Sequence, residues 1–317
     1  LTLGQRADVE SVEAINKELG LDKPKYVQFA LYLNDLSPVA VHYNDAESQE
    51  KYHYFKLFSV SKEKALVIKP PYLRRSYQTK EPVNSILLGV LPSTIILAIS
   101  SMILAILIGI PLGVIGAIKQ HTIFDNIAMT VSVMGISLPS FVSAMILALY
   151  LGFKWHSFTG LDFTGPLYVI DDYGNEVLVL KNLILPTIAL GTRPIAIIFQ
   201  LTRSSMLDVL SQDYVRTARA KGLSEFVILI KHALRNALNP VVTSISGWFA
   251  SLLAGAYFVE LIFGINGLGN KTIQSLMTFD FPVVMGSILY SSVIFIIMNF
   301  LVDISYAVLD PRIRIGK

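Results

Sequence analysis

Cysteine is absent from this sequence of 317 residues, and its absence excludes several kinds of chemistry. Without cysteine there is no disulfide framework, no thiolate nucleophile and no cysteine-ligated metal site. The five histidines show no i, i+4 pairing and no clustering with carboxylates, so a metal site has little support. No nucleophile and base constellation is discernible, which disfavours an intramembrane enzyme. The chain is not expected to be an enzyme or to hold a cofactor.

Charged residues are also scarce, at 15% of the sequence, whereas 53% of the residues are hydrophobic. The mean hydropathy is +0.57, which indicates that many apolar side chains lie in lipid. A helix needs about 20 apolar residues to cross a bilayer. Five apolar runs of suitable length follow Pro82, at residues 91–118, 127–153, 183–201, 241–263 and 283–309. The sequence therefore predicts an all-α polytopic membrane protein whose transmembrane helical bundle covers residues 83–309.

Small residues recur within these runs and predict close helix packing. They are Gly109, Gly113, Gly116, Ala250, Ala254 and Gly255.

Residues 1–82 are polar, with twelve Lys and Arg and eleven Asp and Glu, which predicts a small water-exposed domain. Helical spacing of apolar residues predicts two short helices, at Val9–Leu19 and Tyr26–Leu36. Residues 39–69 are richer in Tyr, Val and Phe, so strands are expected in this segment.

The distribution of Lys and Arg among the loops predicts the orientation, because translocated loops are poor in both. Basic residues follow the first run, the third run and the last run, so residues 204–239 and the tail 310–317 are predicted to be cytoplasmic. Five spans with a cytoplasmic C-terminus place residues 1–82 on the extracytoplasmic (periplasmic) side of the membrane. An N-terminal domain reaches that side if a sixth span precedes it, so we expect a missing N-terminal span.

The loop at residues 204–239 has the pattern of a helix, a break and a second helix. Gly222 suits the left-handed position that ends a helix, Ser224 suits the N-cap of the next, and Pro240 is expected to start the following span. The first helix presents the small residues Thr217, Ala218 and Ala220 beside the basic residues Arg216, Arg219 and Lys221. This combination is typical of a helix that lies in a groove of a partner.

The segment Tyr214-Val-Arg-Thr-Ala-Arg-Ala-Lys-Gly-Leu223 resembles the cytoplasmic loop of the oligopeptide and dipeptide permease family, and in particular the first of its two permeases. Importer permeases share Glu-Ala-Ala, three residues and Gly. Here Gly222 takes the Gly position and Ala218 the second Ala, while Arg216 stands in place of Glu. The resemblance continues at Phe263-Gly-Ile-Asn-Gly-Leu-Gly269 and at Leu309-Asp-Pro-Arg312, whereas residues 39–69 resemble an insertion.

The resemblance implies a permease of a bacterial ABC importer in the cytoplasmic (inner) membrane, carrying peptides delivered by a binding protein. It further implies a second homologous permease, two cytoplasmic ATPases that hold the ATP and Mg²⁺, and an extracytoplasmic binding protein, with no nucleic acid partner. The residues implied to couple transport to the ATPase are Asp213, Tyr214, Arg216, Thr217, Ala218, Arg219, Ala220, Lys221, Gly222 and Leu223. Arg216, Arg219 and Lys221 would fix the docking, and Ala218 and Gly222 the close fit.

Three ionisable residues, Arg193, Glu260 and Asp303, fall within or at the ends of spans, where charge is costly. Structural roles are favoured for Glu260 and Asp303, and Arg193 is retained as a candidate for the translocation pathway. The segment Gly264–Thr272 resembles a phosphate loop but is one residue too long before Lys271, so nucleotide binding there is not expected.

Other substrates and one other transport class stay open at this point. Relatives in the same family carry nickel or some sugars, so a small solute other than a peptide is an alternative cargo. An ion-coupled secondary transporter is the other class, and it is expected to show paired intramembrane carboxylates and inverted repeats with broken helices. Neither feature is clear in this sequence.

Overall fold

A computed structural model describes residues 23–309, and most of their secondary structure is helical. The elements before the first long helix are α1 (Lys25–Leu36), β1 (Val39–Tyr43), α2 (Ala46–Tyr52), β2 (Phe55–Ser59) and β3 (Lys64–Ile68). The next are α3 (Val83–Ile118), α4 (Ile123–Ser137), α5 (Ser140–Leu147), π1 (Ala148–Lys154), α6 (His156–Thr159), β4 (Tyr168–Ile170), β5 (Glu176–Leu178) and α7 (Lys181–Leu210). The last are α8 (Asp213–Ala220), α9 (Glu225–Val227), π2 (Ile228–Leu234), α10 (Arg235–Gly255), α11 (Tyr257–Phe263), α12 (Leu268–Met277) and α13 (Phe281–Leu309).

Three of the described helices are long and apolar enough to cross a membrane, namely α3, α7 and the Phe281–Leu301 part of α13. A fourth candidate consists of two parts, α4 and the continuous α5 and π1, which pass this test if they count as one span. The described chain thus holds three such helices, or up to four, where five spans were predicted.

The second apolar run is not the single straight span that was predicted, because it bends by 106° between α4 and α5. The break lies at Leu138, whose backbone is extended (φ −77°, ψ 124°), directly before Pro139. A residue that precedes proline is driven out of the helical region by the proline ring. The dipeptide Leu138-Pro139 therefore ends α4.

The fourth run is also divided, with α10 ending at Gly255 and α11 beginning at Tyr257. Ala256 between them has ψ of 0°, which turns the chain out of the helical path. The prediction that Pro240 starts this span is wrong. Pro240 lies inside α10, and π2 runs directly into α10 without a break.

The chain divides into two compact units, and the first contains residues up to Leu88 together with Ser275–Gly286. Helix α1 matches the helix predicted at Tyr26–Leu36, whereas the helix predicted at Val9–Leu19 lies outside the described residues. The segment in which strands were expected forms an antiparallel sheet with the order β1-β3-β2. Its inner face buries Ala40, Ala65 and Val67 against Tyr54.

Within this first unit, Asp280 ties the start of α13 to the segment before α3. The buried Asp280 carboxylate accepts hydrogen bonds from the Ser76 hydroxyl and from the Tyr77 backbone N–H, the latter at 3.0 Å. The backbone N–H of Val284 donates to the Asp280 carbonyl at 3.1 Å. Asp280 therefore lies directly before α13, accepts a hydrogen bond from its first turn, and binds the segment that leads into α3.

The second unit contains Gly89–Gln274 and the chain from Ser287 onward. Its core is an apolar cluster that includes Leu97, Leu185, Ile198 and Phe263, all of which are nearly fully buried. Hydroxyl groups also join the helices, since the Ser100 and Thr187 side chains lie 2.8 Å apart across α3 and α7.

Glycines allow α3 and α7 to approach closely, as the sequence predicted for the first run. A Cβ at Gly109 would lie 2.8 Å from a methyl carbon of Ile198, and one at Gly113 would lie 2.5 Å from Cβ of Thr202. A Cβ at Gly116 would lie 3.2 Å from the Phe199 ring. The side chains at Ala250 and Ala254 lie outside the part of the chain whose packing is described.

Candidate functional site

The predicted coupling helix is α8 (Asp213–Ala220), and its inner face packs onto the chain that follows it. Val215 and Ala218 are buried and form a small apolar cluster with Ile228 of π2. Valine and alanine three residues apart lie on the same face of a helix, which explains why both point inward. Ala218 was expected to provide the close fit to a partner. That role stays a prediction; within this chain, Ala218 packs on the inside of the loop.

Gly222 ends the helix in the left-handed conformation that the sequence predicted, with φ of 78°. A Cβ built at Gly222 would meet nothing within 4 Å. Within this chain, Gly222 is thus required for its backbone conformation and not for a tight steric fit. Ser224 occupies the N-cap position of α9, but its side chain forms no capping hydrogen bond.

The outer face of α8 carries exposed side chains with few partners. Arg216 forms an ion pair with Asp213 at 3.5 Å, but the two side chains are 73% and 96% exposed, so the pair contributes little. The Thr217 hydroxyl donates to the Asp213 carbonyl at 3.0 Å. The exposed residues of α8 and the turn after it are Asp213, Tyr214, Arg216, Thr217, Arg219, Ala220, Lys221, Gly222 and Leu223.

Two contacts fasten α8 to the helices that follow. Arg219 donates from Nε to Glu225 Oε1 at 2.9 Å and from Nη2 to Oε2 at 3.4 Å, and so bridges the turn at Gly222. The Tyr214 hydroxyl accepts from Asn236 Nδ2 at 2.9 Å and lies 3.4 Å from the His232 carbonyl. Asn236 belongs to α10, so these contacts link the loop to the first turns of that helix.

Sequence reasoning missed Glu225 and Asn236 as parts of this loop. It also missed Phe226, which is 73% exposed and lies just after the turn. The exposed Phe226 could have been found from its position in the first turn of a helix that follows a predicted break. Glu225 and Asn236 carried no local signal, because their partners become neighbours only when the loop folds.

A buried ion pair lies in the same unit, at the start of α4. Arg203 of α7 binds Asp125 through two hydrogen bonds, from Nε to Oδ1 at 2.5 Å and from Nη2 to Oδ2 at 2.7 Å. The two side chains are 16% and 3% exposed. The His121 backbone N–H donates to Asp125 Oδ2 at 3.0 Å. The two-point geometry fixes α4 relative to α7, and Asp125 was not singled out by the sequence.

Arg193, the candidate for the pathway, lies near the middle of α7. The centre of its guanidinium group is 5.6 Å from the centroid of the Trp248 ring, which belongs to α10. Its Nε atom is buried and has no hydrogen-bond partner. The charge is therefore stabilised by an aromatic face, while this N–H has no acceptor.

Glu260 is fully buried in α11 and organises the glycine-rich turn that follows. Its carboxylate accepts hydrogen bonds from the Thr94 hydroxyl at 2.7 Å and from the Asn270 backbone N–H at 3.0 Å. The Gly269 backbone N–H also donates to it. These N–H groups belong to the first turn of α12, where a carboxylate is favourable. The structural role favoured for Glu260 is confirmed.

The turn around Glu260 explains the glycines of the segment that resembles a phosphate loop. A Cβ at Gly267 would lie 2.5 Å from Glu260 Cδ, and one at Gly269 would lie 2.4 Å from Tyr257 Cα. The Glu260 side chain thus occupies the space that these glycines leave open. The Asp303 side chain lies outside the described residues.

Comparison with known proteins decides the family. The sequence profile of the binding-protein-dependent transport system inner membrane component family matches residues 109–315. The chain belongs to this family. It is therefore an inner membrane component of a transport system, and the resemblance predicted from the loop at Tyr214–Leu223 is confirmed.

Curated relatives of this inner membrane component are dipeptide permeases. The dipeptide transport system permease protein DppB of Bacillus subtilis strain 168 is 42% identical over 237 residues, which cover 75% of this chain and 72% of the relative. DppB of Alkalihalophilus pseudofirmus is 36% identical over an alignment 328 positions long, which covers 98% of this chain and 88% of the relative.

Solved structures show that this inner membrane component shares its fold with ABC transporter chains. A chain of the MetNI methionine ABC transporter, in an inward facing conformation, has a TM-score of 0.58 at 15% identity and covers 73% of this chain and 99% of its own length. A chain of an amino acid ABC transporter crystallised with histidines has a TM-score of 0.53 at 14% identity, with 71% and 94% covered.

Proposed function

We propose that this chain is the permease that forms the pathway for peptides in an ATP-driven importer. Family membership and the dipeptide permeases among its relatives support a peptide as the cargo. The expected importer contains a second homologous permease, two cytoplasmic ATPases that bind ATP and Mg²⁺, and an extracytoplasmic binding protein. The C-terminus and α8 lie on the cytoplasmic side in this proposal, because the loops there are rich in Lys and Arg.

Helix α8 is the element through which the ATPase acts on the permease. The observation that carries this proposal is the contrast between its two faces. The inner side chains, Val215 and Ala218, are packed on Ile228. The exposed Arg219 and Tyr214 bind Glu225 and Asn236, whereas Ala220 and Lys221 are exposed side chains beside them. A partner can therefore contact Ala220 and Lys221 without breaking contacts of the loop.

The mechanism is alternating access, driven by the ATPase through this loop. Nucleotide can shift the permease between two states only if it favours one of them. When the ATPases close on ATP, α8 moves with them. The Arg219–Glu225 bridge and the Tyr214–Asn236 hydrogen bond carry that displacement to α10, which opens the pathway.

A bulky substitution on the outer face of α8 tests this proposal. Ala220→Trp fills the face that meets the ATPase, so ATP-dependent peptide uptake in proteoliposomes should fall at least about tenfold while membrane insertion is unchanged. Ala46→Trp is the matched control, since Ala46 is an exposed alanine in the first turn of α2. Unchanged uptake by Ala220→Trp would count against α8 as the coupling element.

Uptake assays with the same reconstituted importer distinguish the peptide permease from the two alternatives, a different cargo and an ion-coupled transporter. Uptake of nickel or another solute in preference to peptides would keep the architecture and change the cargo. Uptake driven by a proton or sodium gradient without ATP would instead indicate an ion-coupled transporter.

A further inference from the structure

Arg193 lies near the middle of a membrane-spanning helix, and no carboxylate lies within four positions of it on that helix. The residues three and four positions away are Ala189, Leu190, Ala196 and Ile197, all of them apolar. Side chains at these spacings are the helical neighbours of Arg193. These four neighbours therefore offer no side-chain acceptor to its guanidinium group.

The buried carboxylates of the described bundle are engaged elsewhere. Asp125 is bound by Arg203, and Glu260 accepts from Thr94 and Asn270. Among residues 23–309, no described carboxylate forms an ion pair with Arg193. An ionisable residue inside a span is costly and is normally paired, so its partner is expected to come from another molecule.

The same chain shows how an arginine edge binds a carboxylate in this bundle. Arg203 uses Nε and Nη2 together to hold both oxygens of Asp125, at 2.5 and 2.7 Å. The corresponding Nε of Arg193 is buried and has no acceptor. The guanidinium carbon of Arg193 lies over the Trp248 ring, 5.6 Å from its centroid, so the aromatic ring stabilises the charge but offers no acceptor to the N–H groups.

We propose that Arg193, held in place by Trp248, binds the carboxylate of the solute during translocation. This inference rests on the proposed function and names its chemistry, because a peptide with a free C-terminus carries this group. An arginine edge accommodates a carboxylate through two parallel hydrogen bonds, whereas a neutral C-terminal amide offers one acceptor oxygen and no charge. The site therefore selects peptides with a free C-terminus over their amides.

The first test is transport by the complete importer in proteoliposomes, with trialanine as the probe and its binding protein at saturation. Arg193→Gln should lower ATP-dependent uptake at least about tenfold, while Arg193→Lys, which keeps the charge, should retain more. Lys154→Gln is the matched control, because Lys154 also lies over an aromatic ring, that of Tyr150 at 4.8 Å. Uptake by Arg193→Gln at the level of the control would overturn the inference. If the wild-type importer takes up no trialanine with ATP, the proposed function itself fails.

The second test detects the ligand at the site and separates binding from a merely structural role. The importer is labelled with 5-fluorotryptophan and observed by fluorine NMR. The signal of Trp248 is assigned by its loss in Trp248→Phe, and trialanine or trialanine amide is then added. Trialanine should shift the Trp248 signal and the amide should not, and Arg193→Gln should abolish the shift. An equal response to both probes, no response to either, or a response that survives in Arg193→Gln would overturn the inference.

Discussion

Replacing Glu260 by alanine should destabilise the permease more than most single substitutions. The carboxylate is fully buried and accepts from the Thr94 hydroxyl, the Asn270 N–H and the Gly269 N–H. A buried donor left without an acceptor costs about 1–3 kcal/mol. Three such donors predict a loss of roughly 3 kcal/mol or more in the free energy of unfolding for Glu260→Ala. Glu260→Gln keeps the shape and one acceptor oxygen, so its loss should be about half as large.

The assay is thermal unfolding of the purified importer, with membrane insertion checked separately. Glu176→Ala is the matched control, because Glu176 is an exposed glutamate in β5 and its removal should change stability by less than about 0.5 kcal/mol. Gly267→Ala should mimic the defect, since its Cβ would lie 2.5 Å from Glu260 Cδ. If Glu260→Ala unfolds at the same temperature as Glu176→Ala, then Glu260 does not organise this turn.

Two further predictions concern packing and pH. Gly113→Ala should lower the free energy of unfolding by about 1–3 kcal/mol, because its Cβ would lie 2.5 Å from Thr202 Cβ. Gly247→Ala is the control: its Cβ would meet nothing within 4 Å, so the change should be neutral or slightly stabilising. Comparable melting temperatures of the two variants would contradict this prediction. Burial lowers the pKa of His42, which stacks on Tyr52 at 3.9 Å. The folded state thus binds fewer protons than the unfolded state, so it loses stability at pH values below about 6.5. The protection of the sheet amides from hydrogen exchange should decrease in that pH range, and His42→Phe should weaken this pH dependence. An equal decrease in the wild type and in His42→Phe would refute the prediction.

Local chemistry made several features predictable from the sequence. The left-handed turn at Gly222 follows from a glycine placed just after a helical pattern, and α1 follows from apolar spacing within residues 26–36. The break at Leu138-Pro139 carried an equally local signal, since a residue before proline avoids the helical region. The hairpin of β4 and β5 could also have been predicted, because Asp171 and Gly174 are typical turn residues between two short apolar segments.

Other features depend on residues that are distant in the sequence. Glu260 meets Thr94 across 166 positions, and Arg203 meets Asp125 across 78. No local pattern identifies such partners. Pro240 shows the converse case, because a proline that typically starts a helix lies inside α10, which continues directly from π2. Burial of Ala218 likewise became evident only once Ile228 was known to pack against it.

In the proposed importer, the outer face of α8 contacts an ATPase subunit inside the cell. Because the chain contains no cysteine, Ala220→Cys introduces a single thiol into it. The decisive measurement is cross-linking of this thiol to the ATPase with a short bismaleimide, with and without ATP. We expect a cross-link to the ATPase whose yield changes when ATP is added. Labelling of this thiol from the outside of sealed cells, with no cross-link to the ATPase in either state, would contradict it.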